Sequence, residues 1–411
     1  MCPRSHSLNQ DAPPTPVNDS DDPDAGDAPA HTDRGGNDRG LMVAEVTTRR
    51  DRREFLRFEA ELYRGHPYWV PPIWRERRRL AGLAHHPFYD DADSAAFLAR
   101  RGGRVVGRIV AILNHAHLRR YDDGVGFFGF FECHDEPSVA AALIDAASTW
   151  LRRRGARVIR GPVHPSLNYE VGCLVDGFDS PPTFLIPYNH EYYDGLLRSC
   201  GLEKSQDLHT FDAPISLLDQ LDPKLQFVVE ESTKRFDVKT RPISRKQFKR
   251  DVRTFLEIYN ASLEQTWGYV PMSQSEVDDQ AGGLRLLLVP ELTSIAEIGG
   301  RPVGAGFGLL DYNVAIARTG GRLFPLGWWT ILRSRRHIKR LRMVSANVLP
   351  QYQRWGLGLV TLSRLVPDAV ARGIEVAEFS WVLESNHLSR NTIMRGGATL
   401  TKTHRVYDRS L

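Results

Sequence analysis

Nowhere in the 411 residues does an apolar run approach the roughly 18 to 20 residues that cross a bilayer. The N-terminus has no basic stretch followed by an apolar one, as an export signal would require. No spanning helix is therefore expected, and the cytoplasm is the expected compartment. Cysteine is scarce: Cys2, Cys133, Cys173 and Cys200 lie far apart, with no CxxC and no Cys/His pair at zinc-finger spacing. Neither structural zinc nor a disulfide frame is expected, though distant pairing stays open. Large apolar side chains are almost missing from residues 1–40, which are rich in Asp, Pro, Gly, Asn and Ser. Such a segment cannot offset the entropy of ordering and reads as a disordered acidic tail.

Beyond the tail the chain has ample material for a core, with 41% hydrophobic residues overall, and its length suits two or three domains. The tail holds eight Asp against three Arg, so a chain net charge of +4 leaves the body at +9. A moderately basic body suits an anionic small ligand, RNA or an anionic surface, and charge alone does not choose.

The pattern of apolar residues suggests a repeat. In the first part an amphipathic helix near Arg53 to Tyr63 precedes a strand pair over Ala96 to Leu113 with its turn at Gly102-Gly103. A Phe-rich strand, Val125 to Phe131, and a helix from Val139 to Arg153 follow. The second part runs strand (Val238 to Ser244), helices (Lys246 to Leu263, Ser275 to Leu288), and a hairpin around Gly299-Gly300. It continues with a strand (Met343 to Val348), a helix (Gly358 to Ala371), a strand (Ala377 to Val382), a helix (His387 to Met394) and a last strand (Thr399 to Tyr407). Tyr188-Asn189 before one late helix and Ser385-Asn386 before another strengthen the duplication, at spacings that differ by one residue. The expected organisation is a tail at 1–40, a first half at 41–215 and a second at 216–411.

The sharpest local signal is Val348-Leu349-Pro350-Gln351-Tyr352-Gln353-Arg354-Trp355-Gly356-Leu357-Gly358, a strand passing through a glycine turn into an apolar helix. Such a turn aims successive backbone N–H groups at one point by a helix N-terminus, where a pyrophosphate can bind. On this reading Gly356 and Gly358 remove Cβ atoms from the phosphate's path, and Gln353 and Arg354 add donors. A Q-x-x-G-x-G by itself is weak, and an ordinary strand-to-helix turn would use the same glycines.

In context, Val348-x-Pro350 followed by Gln353-x-x-Gly356-x-Gly358 resembles the acetyl-CoA signature of the GNAT superfamily of N-acetyltransferases. Glu384-Ser385-Asn386 ahead of a helix ending in Gly396-Gly397-Ala398 is similar to its later motif. The resemblance covers about residues 238–409 and, loosely, the first half, which lacks the phosphate turn and looks like a degenerate copy. It implies an α+β (α/β) fold of two GNAT-like domains, each a mixed, mostly antiparallel sheet flanked by helices. It also implies acetyl-CoA or another acyl-CoA as co-substrate, held by Gln353, Arg354, Trp355, Gly356, Leu357 and Gly358. The strand Met343 to Val348 would then splay from Ala377 to Val382 to admit the pantetheine arm, with backbone groups near Asn347 and Val348 pairing with it. Asn386 would lie beside the arm or simply cap its helix. The loop Glu264 to Met272, with Trp267 and Tyr269, would cover the acceptor cleft or plug the core. Many family members carry a Tyr as proton donor where this chain has Ile393.

Acylating an amine needs a proton acceptor. Glu297, Asp311 and Tyr312 near the central hairpin are the first candidates, with Glu384 and Tyr407 behind them, and no motif selects among these. A basic helix is expected over Leu326 to Arg342, with Trp328, Trp329 and a run of Arg and Lys; a solvated face, the CoA 3′-phosphate, RNA or anionic lipid would each suit it. The expected activity is acyl-CoA-dependent N-acylation of a small-molecule primary amine, with no metal. A non-catalytic acyl-CoA sensor and a tRNA-dependent aminoacyl transferase of the peptidoglycan-bridge type are the alternatives.

Overall fold

The chain runs through one order of elements twice. In the computed structural model, which describes residues 40–220 and 222–411, the first pass begins with β1 (Leu41–Glu45), β2 (Ala92–Arg101), β3 (Arg104–Asn114), β4 (Val125–Cys133) and β5 (Val158–Gly161). Short strands β6 (Val163–His164), β7 (Glu170–Val171) and β8 (Cys173–Asp176) follow, and β9 (Glu203–Pro214) closes this pass. The second contributes β10 (Lys239–Arg241), β11 (Thr293–Ile298), β12 (Arg301–Leu310), β13 (Arg340–Val348), β14 (Val376–Leu383) and β15 (Thr399–Ser410). Each pass places two helices after its first strand, one in its parallel crossover and one before its last strand. The helices are Arg49–Leu62, Trp74–Leu80, Pro137–Arg152 and Tyr193–Ser199 in the first, and Phe248–Ser262, Gln274–Leu284, Leu357–Ser363 continued by Leu365–Ala371, and His387–Arg395 in the second. The proposed tail, Cys2 included, lies outside the described residues except for Gly40. Cys133, Cys173 and Cys200 are buried free thiols.

Both hairpins turn on paired glycines with positive φ, Gly102 at 55° and Gly103 at 78°, Gly299 at 55° and Gly300 at 76°. Only a two-residue turn of this hand continues the twist of its strands. The crossover helix Pro137–Arg152 buries Val139, Ala140, Leu143, Ile144, Ala147 and Leu151, one stripe at helical spacing, against the sheet.

The sheet is continuous across the repeat. Its order is β1-β2-β3-β4-β5-β15-β9-β14-β13-β12-β11-β10, so the final strand of each pass pairs with the wing built by the other. Tyr407–Ser410 of β15 line up with Val158–Gly161 of β5, and β9 lies between β15 and β14. The two copies have exchanged their last strands about an approximate two-fold axis between β9 and β15.

Two irregularities shape the second half. Register on β12 passes from Phe307↔Ser345 to Gly308↔Met343, leaving Val344 as an unopposed bulge on β13. Parallel pairing of β13 with β14 covers Arg340–Met343 against Val376–Phe379 and then stops, although the strands run on to Val348 and Leu383. The expected splay is present. In the first half β4 and β5 also part, after Phe127 and Arg160, but there a Cβ on Gly129 would stand 1.7 Å from the Val163 carbonyl oxygen. The chain's own backbone fills that gap, which is why the first copy has no room for a ligand arm.

One reading needs correction. The basic helix expected over Leu326 to Arg342 is confined to Gly327–Ser334, and Arg340 to Arg342 belong to β13. Ladder pairing with β12 and β14 overrides the helical charge pattern there. The polar helix Pro223–Phe236, which buries only Leu225 and Ser232, has too thin an apolar stripe to stand out in the sequence.

Candidate functional site

The opening between β13 and β14 leaves polar atoms without partners. Ser345 Oγ on β13 and Trp381 Nε1 on β14 are buried and unbonded, as are His209 Nδ1 on β9 opposite Val382 and Arg390 Nε on the adjoining helix. A buried donor or acceptor with no partner costs about 1–3 kcal/mol. Four of them lie around one strand gap, where polar groups of a ligand would find partners. Asn347 directs its amide to the Ser262 hydroxyl, and Val348 accepts from Gln353 Nε2 at 3.3 Å.

The glycine turn is a short 3₁₀ helix, Pro350–Trp355, then Gly356 at φ 72° and the helix from Leu357, whose first amides have no side-chain cap. Gln353 and Arg354 are exposed, and Gln353 also donates to the Ser262 carbonyl at 3.1 Å. The part given to Gly356 needs correcting. A Cβ there would fall 2.3 Å from Val228 Cγ1, because helix Pro223–Phe236 lies across the turn, with Ser232 donating to the Trp355 carbonyl and Arg235 stacked 4.1 Å over the Trp355 ring. Gly356 makes room for that helix, not for phosphate. At Gly358 the nearest atoms to an added Cβ are 3.8 and 3.9 Å away, so its front is open. The uncapped amides, open Gly358 and unpartnered atoms fit a CoA-like ligand approaching from the side that helix Pro223–Phe236 leaves free.

Beneath the opening an apolar pocket, partly open to solvent, lies between Leu341 and Met343 of β13, Ala377 and Phe379 of β14, and helices Leu357–Ala371 and His387–Arg395. Ile393 lines it, so an aliphatic wall stands where many family members have a proton-donating Tyr. Leu218 and Leu225, from the segment joining the two passes, roof it.

On the opposite face of β13, Arg342 is fully buried and donates to the carbonyls of Phe184 (3.0 Å) and Leu185 (3.2 Å), with Trp381 stacked on its guanidinium. Burial lowers its pKa to about 10. Phe184 and Leu185 in turn wall a second cavity, against which lies a chain of buried charges from the first half. Tyr63 and Tyr193 donate to Glu132 at 2.8 and 2.6 Å, Arg108 joins Glu59 at 2.6 Å and approaches Glu132 at 3.7 Å, and Arg77 joins Glu59 at 3.4 Å and Glu170 at 3.0 Å. His164 lies 3.8 Å from Glu170. Burial raises Glu132 to about 7 against the pull of Arg108. For Glu170 burial pushes the same way, but Arg77 and His164 prevail and hold it at about 2. Burial lowers the pKa of His164. Carboxyls outnumber guanidiniums here, since Glu59, Glu76, Glu132 and Glu170 line the pocket with Arg77, and Arg108 pairs with Glu59 behind it. An excess of carboxyls suits a cationic group.

Sequence reasoning did not find this network. The signal was present, since Arg108 and Glu132 are single charges inside the long apolar strands β3 and β4. The structure places the earlier candidates as follows. Asp311 accepts from the backbone amides of Phe184 (3.0 Å) and Asn313 (3.1 Å), two residues that line the charged cavity, and burial raises it to about 6. Glu297 pairs with Arg241 at 2.9 Å on the hairpin, away from both cavities. Tyr312 is buried, donating to the Leu287 carbonyl at 2.7 Å. Trp267 packs under Arg160, and buried Tyr269 donates to Asn260. Their loop is stitched to the first half by Tyr121 donating to the Tyr269 carbonyl at 2.8 Å and Asn168 to that of Val270 at 2.9 Å. Asn386 caps its helix, accepting from Ser389 N at 3.1 Å. Glu76, His86 and Asp279 bring ligand atoms within 4.8 Å of one another, but Arg79 already bridges the two carboxylates at 3.0 and 2.6 Å.

Two proteins are similar to this chain in sequence over most of its length. Protein YghO of Escherichia coli is 31% identical over 376 residues, covering 90% of this chain and 95% of that one. A bacterial ceramide synthase of Caulobacter vibrioides is 31% identical over 383 residues, covering 90% and 98%. No protein-family model matches the chain. Among solved structures, a tandem GNAT protein from the clavulanic acid biosynthesis pathway superposes with a TM-score of 0.51 at 12% identity, covering 90% of this chain and 98% of that one. A GCN5-related N-acetyltransferase from Sphaerobacter thermophilus gives 0.51 at 14%, covering 91% and 96%.

Proposed function

Since the chain belongs to the GNAT superfamily as a tandem protein, in one family with YghO and the bacterial ceramide synthase, we propose that it is an N-acyltransferase joining a fatty acyl group from acyl-CoA to the amine of a long-chain amino alcohol. The observation that carries this reading is the gap beyond Met343 and Phe379, with Ser345 Oγ and Trp381 Nε1 buried and unpartnered on its two edges. The helix amides from Leu357, with Gly358, hold the diphosphate, and Ser345 and the free edge of β13 hold the pantetheine arm. Bound acyl-CoA supplies an acyl group already activated as a thioester.

The acyl tail extends past the point where the strands meet, into the apolar cavity lined by Met343, Phe379 and Ile393. Ceramide is the amide of a fatty acid with a long-chain amino alcohol, and both cavities suit such a pair: one wholly apolar, the other charged at its base with an apolar rim of Trp69, Val70, Pro71 and Leu185. In the charged cavity Glu59, Glu132 and Glu170 hold the acceptor's ammonium. Glu132 accepts its proton, and the lone pair of the neutral nitrogen forms the C–N bond as the thioester C–S bond breaks; the nitrogen's second proton leaves with the thiolate, which departs as the CoA thiol. Asp311 supports the wall as a positioning residue.

The test is thiol release and amide formation by the purified chain, with acyl-CoAs from two to eighteen carbons and a panel of amines including sphinganine. The expected result is a long-chain N-acyl product. Tight acyl-CoA binding without thiol release for any amine would identify a sensor instead, and salt-sensitive tRNA binding without CoA binding would favour aminoacyl transfer.

A further inference from the structure

Between Tyr312 and Pro367 the sequence contains no Asp or Glu, while Arg318, Arg322, Arg333, Arg336 and Lys339 are exposed within the stretch that joins β12 to β13. Among the described residues none of the four arginines forms an ion pair. In their midst the chain turns its apolar side chains outward. Phe324 is 68% exposed, Leu326 69%, Trp328 42% and Trp329 53%, all within six residues. Folding does not require this exposure: Ile331 on the same helix, Gly327–Ser334, is buried, and Leu323 and Ile338 pack on the core. Large apolar side chains clustered on a surface and ringed by cations mark an interaction site.

We propose that the segment Arg318–Lys339 is a docking surface for an anionic lipid bilayer. The charge is one-sided, with six cations and no carboxylate on the segment, of which Lys339 alone pairs with an acid, Glu375. The apolar tip combines an aliphatic group, a phenyl ring and two indoles, as suits the boundary between headgroups and acyl chains. The two most exposed residues, Phe324 and Leu326, offer nothing to a nucleic-acid backbone, which argues against RNA. No helix of the described residues is long and apolar enough to cross a membrane, so the contact is with the surface of one leaflet.

The patch is also tied to the charged cavity. Asn313, which lines that cavity, begins the helix Asn313–Thr319, and the Gly320 carbonyl at its end accepts from Trp74 Nε1 at 2.8 Å. Trp74 in turn opens the helix bearing Glu76 and Arg77, also in the cavity wall. Docking at Phe324–Trp329 therefore sets the cavity beside the bilayer, where amphiphiles reside.

Flotation of the full chain with vesicles tests this. Binding is expected to phosphatidylglycerol vesicles and to be much weaker with pure phosphatidylcholine. Serine at Phe324, Leu326, Trp328 and Trp329 should abolish it, and Arg333→Glu with Arg336→Glu should weaken it at least about five-fold per charge. Circular dichroism and melting temperature confirm that both variants are folded, and the charge variant alone suffices if the apolar one is not. Failure of the wild-type chain to float with anionic vesicles, equal flotation of the folded variants, preference for a single-stranded RNA over vesicles, or a patch-dependent dimer that does not bind vesicles would each overturn the proposal.

Discussion

Val228 Cγ1 lies 2.3 Å from the point that a β-carbon on Gly356 would occupy, whereas the same point at Gly358 has no neighbour closer than 3.8 Å. Two glycines of one motif therefore do different work. Gly356→Ala should destabilise the fold by at least about 2 kcal/mol, from its left-handed backbone and the overlap with Val228. Gly358→Glu should leave the melting temperature nearly unchanged but weaken CoA binding about tenfold or more, by placing a carboxylate before the diphosphate. Paired thermal melts and calorimetry with CoA separate the two. Unchanged CoA affinity in the Gly358 variant would remove the diphosphate from this turn.

Glu132 provides a pH signature. Raised by burial to about 7, it is protonated in mild acid and charged above neutrality, so turnover should climb through an apparent pKa near 7. Glu132→Gln should lose that limb and about 10²-fold of rate. Stability moves the other way. A carboxyl raised in the folded state makes the protein progressively less stable as pH rises from its unfolded value of 4.5 towards 7, so the Gln variant should gain on wild type at pH 8 and match it near pH 4. The gain in melting temperature distinguishes loss of a base from loss of the fold.

His404 is wholly buried, bonded through Nε2 to the Pro187 carbonyl at 3.1 Å, and burial depresses it to about 4. The unfolded chain binds a proton from about 6.5, so this residue's contribution is complete above that pH and is lost as pH falls towards 4. His404→Gln should flatten stability between those limits, as read by urea unfolding at a series of pH values. An unchanged pH slope would mean that other groups govern acid unfolding.

Ile393 closes the apolar cavity near the meeting point of β13 and β14. Ile393→Trp should cut turnover of acyl-CoAs of sixteen carbons about tenfold or more while sparing acetyl-CoA. Competition between two chain lengths in one reaction reads the ratio directly. An equal loss for both would place the acyl tail elsewhere.

The repeat was legible because the determinants of its hairpins are local: Gly102-Gly103 and Gly299-Gly300 punctuate alternating apolar strands, and no tertiary partner is needed to read them. The strand-turn-helix from Val348 to Gly358 was readable for the same reason. The exchange of β9 and β15 was not, since either pairing buries the same alternating residues and local pattern does not name a partner strand. Helix Pro223–Phe236 stayed hidden because packing on the Gly356 turn, not amphipathicity, orders it. The charged cavity was the largest omission. Glu59, Arg77, Arg108, Glu132 and Glu170 are spread over more than a hundred positions, and each by itself resembles a surface charge. Only the fold brings them together.

The interchange of final strands has a consequence for how this gene could drift after duplication. Deleting the worn first copy would strip β14, one lip of the ligand cleft, of the neighbour that holds it in line. The first half carries no such glycine turn and fills its own strand gap with Val163, yet the opening in the second half leans on β9, the strand which that first half contributes.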